Sequence, residues 1–73
     1  MSIRRILVAD DEESIRWVLS KALSKKGFSV DLASSGSEAL TLFRQNAYDL
    51  AVLDIKMPGT SGLELLERFH AER

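Results

Sequence analysis

Hydrophobic and polar positions alternate along this chain in two different rhythms, and the switches between them mark out its elements. Ile6-Leu7-Val8-Ala9 is a short, unbroken apolar run, which predicts a strand covered on both faces. Behind it, Ile15, Val18, Leu19, Ala22 and Leu23 recur at helical spacing and predict an amphipathic helix. That helix opens on acids and closes on Lys25-Lys26-Gly27, which suits the helix dipole and supplies a glycine for a left-handed cap. Phe28, Val30 and Leu32 then alternate with Ser29, Asp31 and Ala33, the period of a half-exposed strand at a sheet edge. Ser35 and Glu38 are spaced as a capping box, with Ala39, Leu40 and Phe43 giving the second helix its apolar face. Leu50-Ala51-Val52-Leu53 repeats the all-apolar strand pattern. Pro58-Gly59 breaks the chain, Ser61 and Glu64 form a second capping box, and Leu65, Leu66 and Phe69 carry a third helix.

The order is therefore β-α-β-α-β-α. Crossovers of this length join parallel strands, and right-handed connections put helices on both faces of the sheet. Strand order 2-1-3 follows, with the alternating strand outside and the first strand in the middle. The class is α/β, a doubly wound parallel sheet that stops halfway. The chain has 73 residues, 45% of them apolar, so one small domain of marginal stability is expected.

Charge and composition remove several function classes. Lys and Arg number 10 against 11 Asp and Glu, giving a net charge of −1, with no basic excess for direct nucleic-acid contact. No apolar run is long enough to span a membrane, and the opening residues do not form a signal peptide, so a cytoplasmic protein is expected. There is no cysteine, hence no disulfide framework and no thiolate zinc site. "ADDEES" contains no glycine, which argues against a dinucleotide or P-loop fold. A single histidine, His70, cannot complete a Ser-His-Asp arrangement and is expected to be a solvated surface residue.

The acids carry the candidate chemistry. In an open parallel sheet, sites form beyond the carboxyl ends of the strands, where the winding reverses. The first strand ends at Asp10 and Asp11, the third at Asp54. If those strands are neighbours, three carboxylates meet at one rim and repel unless a cation intervenes, and Mg²⁺ suits a site with few protein ligands. The competing reading is that acids after a strand are ordinary first-turn residues stabilised by the helix dipole. It is preferred for Glu12 and Glu13, and Asp54, which interrupts an apolar strand at its carboxyl end, shifts Asp10 and Asp11 away from it. Trp17 flanks the apolar stripe of the first helix, with packing expected over an exposed partner contact.

"ILVADDEE" and "LAVLDIKMPGTSGLELL", at their separation, resemble the receiver domain of two-component response regulators along the whole chain. The resemblance implies the flavodoxin-like fold, with residues 1–73 forming its N-terminal part (strands one to three, helices one to three). It implies that Asp54 is the phospho-acceptor, that Asp11 and Asp10 hold Mg²⁺, and that the main-chain carbonyl of Lys56 is a further metal ligand. It also implies a histidine kinase as partner, and a phospho-acceptor in place of a dedicated enzyme. "ESIRWVLSKAL" is similar to receivers of the nitrogen-regulator type, which precede a sigma-54-dependent ATPase and a DNA-binding domain, so a role in transcription regulation is implied. Ser61 stands where many members have Asp; as an N-cap it serves equally well.

The family's switch hydroxyl and its lysine, from strands four and five, match no position here, since Thr60 and Lys56 lie in a different loop. Weak Mg²⁺ binding and poor switching by this stretch alone are therefore expected. So is self-association, as a homodimer joined near the third strand and third helix, because an apolar strand without its outer neighbour invites pairing. A non-signalling half-domain that folds by such assembly, or by pairing with its missing half, is one competing function. A metal-dependent phosphatase or nucleotidyl-transfer enzyme is another, but halo-acid-type phosphatases carry a second Asp two residues after the nucleophile, where this chain has Lys56.

Overall fold

The computed structural model describes residues 4–54 and 62–72. The elements run β1 (Arg5–Ala9), α1 (Glu13–Lys25), β2 (Ser29–Ala33), α2 (Gly36–Gln45), β3 (Leu50–Leu53) and α3 (Gly62–Glu72). The three strands form one parallel sheet in the order β2-β1-β3, the order expected from the sequence. In register, Val8 of β1 lies between Leu32 and Val52, and Ala9 between Ala33 and Leu53.

Strand β1 is buried along Ile6 to Ala9, as its unbroken apolar run predicts. Its residues split by parity. Leu7 and Ala9 join Ala33 of β2, Ala39 and Leu40 of α2, and Leu65 and Phe69 of α3 in the main cluster. The Phe43 and Phe69 rings stack with centroids 3.9 Å apart and tie α3 to α2. Ile6 and Val8 belong to the other face, where α1 packs on β1 and β2.

That second face is thinly covered, and the expected packing of the α1 stripe and of Trp17 is corrected here. Helix α1 has no buried residue, with Ile15 and Val18 exposed. Strand β3 is exposed along Leu50 to Val52, the open apolar strand that the expected self-association rests on. Leu50 and Val52 share a face with Ile6 and Val8 by register, and none of the described helices lies over them. Trp17 does not pack into the core: it is 60% exposed, with the Lys21 ammonium 5.4 Å from its ring centroid. Periodicity marks which side of an element is apolar, whereas burial depends on what stands opposite. For the same reason Leu66, expected on the apolar face of α3, is exposed while Leu65 is buried.

The element ends follow their sequence signals. Gly27 takes φ 93°. Its N–H donates to Ser24 O (3.0 Å), and the Phe28 N–H donates to Leu23 O (3.2 Å), which closes α1 with a Schellman motif. Ser35 Oγ accepts from the Glu38 N–H, and Glu38 Oε1 in turn accepts from the Ser34 N–H, so the box at α2 reaches back one residue further than the simple form. The second box (Ser61) and the Pro58-Gly59 break lie outside the described residues.

At the amino ends of the strands, Asp49 accepts from the N–H groups of Arg4 and Arg5, both at 2.9 Å. These two bonds hold its carboxyl below the usual carboxylate range and fix the entry of β1 beside β3. Nearby, Asp31 Oδ2 accepts from Arg5 (2.9 Å) and from the Tyr48 hydroxyl (2.7 Å). Burial first, and then the bond to and charge of Asp31, push the Tyr48 phenol up to about 12.

Candidate functional site

The opposite, carboxyl ends of β1 and β3 carry the acids. Asp10 and Asp11 follow β1 and Asp54 follows β3. Because β1 and β3 are direct neighbours, one carboxylate oxygen from each of the three lies within 4.8 Å of the others. Asp10 and Asp54 are half-buried and Asp11 is exposed.

Main-chain bonds place these side chains. The Asp54 N–H donates to Ala9 O at 2.9 Å, extending the β1–β3 ladder by one step, and the Asp10 N–H donates to Ala33 O at 3.1 Å on the β2 side. Asp10 Oδ1 accepts from the Glu12 N–H at 2.9 Å, an Asx turn that fixes its side chain against the start of α1. Arg16, from the first turns of α1, donates from Nη1 to the Asp10 carbonyl oxygen at 2.7 Å. Glu12 is the N-cap of α1 and makes no side-chain cap bond, while Glu13 lies in the first turn, as expected for acids serving the helix dipole.

The donor set fits a small hard cation. Octahedral Mg²⁺ with oxygens at about 2.1 Å sets opposite ligands roughly 4.2 Å apart and adjacent ones roughly 3.0 Å apart. Oxygens already within 4.8 Å need to close by only a fraction of that separation, or to leave a water in between. Three carboxylates and no nitrogen or sulfur ligand favour Mg²⁺ over zinc or copper. Of the four residues singled out in the sequence, the fold thus brings together Asp10, Asp11 and Asp54; Lys56 lies outside the described residues. Arg16 was not foreseen.

Comparison with known proteins agrees with this geometry. The model of the response regulator receiver domain family matches residues 6–73. This chain belongs to that family. It is 45% identical over 67 residues to the response regulator MprA of Mycobacterium sp. (strain KMS) and 43% identical over 72 residues to the regulatory protein VanRB of Enterococcus faecalis. These matches take in 92% and 99% of the chain but 29% and 32% of the relatives. Among solved structures, the response regulator TrrA of Thermotoga maritima in complex with Mg²⁺-BeF superposes with a TM-score of 0.92 at 45% identity, over 97% of this chain and 62% of that one. A receiver domain from Methanospirillum hungatei gives 0.93 at 36% identity, over 99% and 58%. TrrA bound to the histidine kinase ThkA gives 0.90 at 45% identity, over 97% and 61%. The chain thus spans about three-tenths of the curated relatives' length and about three-fifths of the solved chains.

Proposed function

We propose that this receiver takes a phosphoryl group from a histidine kinase onto Asp54, with Mg²⁺ held by Asp10, Asp11, Asp54 and the Lys56 carbonyl. The observation that carries the reading is the meeting of three carboxylates at the ends of two adjacent strands. A carboxylate oxygen of Asp54 is the nucleophile: it forms a bond to phosphorus as the P–N bond of the donor phosphohistidine breaks, and the departing imidazole keeps the electron pair. Asp10, oriented by its Asx turn, and Asp11 would hold the cation that offsets the negative charge of the incoming group. Bound there, Mg²⁺ supplies positive charge to the phosphoryl oxygens during in-line transfer. The group ends on the chain's own side chain, so the protein acts as an acceptor and not as a dedicated enzyme.

The kinase partner is supported by the TrrA–ThkA complex, and transcription regulation by relatives such as the transcriptional regulatory protein DltR of Streptococcus agalactiae. We extend both to this chain as proposals, together with a cytoplasmic setting and, from "ESIRWVLSKAL", an output of the nitrogen-regulator type. None of the described helices is long and apolar enough to cross a membrane. Incubation with acetyl phosphate and Mg²⁺ tests the acceptor: an acid-stable, base-labile label on Asp54, absent from Asp54→Asn, is expected. A label that persists in that variant would refute it. Since residues 1–73 contain no match to the family's switch hydroxyl and lysine, labelling of this stretch alone is proposed to be slow and to produce little conformational response.

A second reading, assembly of this stretch with itself, is favoured by the exposed Leu50 and Val52 on a strand that pairs on one side with β1. An outer strand with free main-chain groups and apolar side chains recruits another strand. Light scattering should then give twice the chain mass, falling to the monomer in Val52→Lys.

A further inference from the structure

We infer that Arg16 is a positioning residue of the acidic site, acting through the main chain of Asp10. The inference rests on the metal-dependent reading above. Asp10 is held at three points: its N–H by Ala33 O, its Oδ1 by the Glu12 N–H, and its carbonyl oxygen by Arg16 Nη1. The Arg16 N–H in turn donates to Glu12 O at 3.1 Å, so Asp10, Glu12 and Arg16 close a small ring that joins the strand end to the first turn of α1.

The carbonyl that Arg16 binds belongs to the peptide unit linking Asp10 to Asp11. Its orientation sets the direction in which Asp11 leaves the strand, and Asp11 is the exposed member of the site. A half-buried guanidinium bonded at 2.7 Å fixes that plane more firmly than water would. Arg16 therefore spends a charge next to a cation site in order to hold the geometry of two ligands.

Charge and positioning predict opposite signs. Removing a cation beside a Mg²⁺ site tightens binding if charge alone matters, and weakens it if the bond orients the ligands. Isothermal titration of the whole chain with MgCl₂ separates them, using wild type, Arg16→Met and Arg16→Lys, with far-UV circular dichroism to verify the fold. Arg16→Met should bind Mg²⁺ about tenfold more weakly, the range seen when the groups that orient metal ligands are lost. Arg16→Lys, which keeps a donor for the carbonyl, should recover most of that loss. Arg16→Leu, which likewise has no donor, repeats the first measurement if the Met variant does not fold. Equal or tighter binding by Arg16→Met, or an equal loss in Arg16→Lys, overturns the role of Arg16 while leaving the site intact. A wild-type chain that takes up no Mg²⁺ overturns the metal site and this inference together.

Discussion

Asp54→Asn should make the metal-free protein more stable, because it removes a charge from a site where charges repel. The substitution is nearly isosteric and keeps the main-chain bond from residue 54 to Ala9 O. Two unit charges at the 4.8 Å limit of the cluster repel by roughly 0.9 kcal/mol in water. Asp54 takes part in two such pairs, with Asp10 and with Asp11. Screening at physiological ionic strength, where the Debye length is about 8 Å, reduces each to roughly half. The net gain is about 1 kcal/mol, or about 4–8 °C in Tm for a domain of this size. Thermal melts in EDTA should show it, and the gap should narrow as salt rises. Mg²⁺ should reverse the order: at a hundred times its Kd it stabilises the wild type by about 2.7 kcal/mol and the ligand-depleted variant far less. A variant that melts at or below wild type in EDTA, or a gap indifferent to salt, would refute the reasoning.

Three further outcomes follow from the packing and the strand-entry network. Leu7→Ala, at a fully buried position in the main cluster, should cost about 2–5 kcal/mol in urea unfolding, a large share of the total stability of so small a domain, whereas exposed Val18→Ala should cost under about 1 kcal/mol. Tyr48, the single tyrosine, should ionise at about 12 when followed by its ultraviolet absorbance, and at a lower pH in Asp31→Asn, with burial still holding it above its ordinary 10.0; since its folded value is raised, the associated stability is complete below pH 10 and is lost as pH climbs through 12. Asp49 has a lowered folded value, so its contribution is present above its ordinary 3.8 and is lost as pH falls below it; acid titration of stability should be shallower in Asp49→Asn.

The frame of this molecule was readable because its signals are local. A continuous apolar run at Ile6–Ala9, alternation at Phe28–Ala33 and glycine after Lys26 each dictate an element or its end, and the crossover rule then makes β1 and β3 neighbours. Adjacency of those two strands is what brings the Asp10-Asp11 pair and the distant Asp54 into one site. Burial was less legible. Ile6–Ala9 and Leu50–Leu53 are alike in composition, yet the first is enclosed between two neighbouring strands and packed on both faces, and the second is exposed over most of its length. Trp17 and Val18 show the same limit on α1, where both stay exposed although the helix packs on β1 and β2. Arg16 left no pattern to find, since a side chain reaching back six residues to a carbonyl obeys no periodicity.

The central claim is that Asp10, Asp11 and Asp54 converge on a single cation. Titrating the ¹⁵N-labelled chain with small amounts of Mn²⁺, which broadens only nearby amides, tests it most directly. Signals of Asp10, Asp11 and Asp54 should disappear together and first, while Ser29 and Asp49, at the far ends of β2 and β3, persist. Broadening of one strand end without the other, or spread evenly over all the acidic residues, would contradict it.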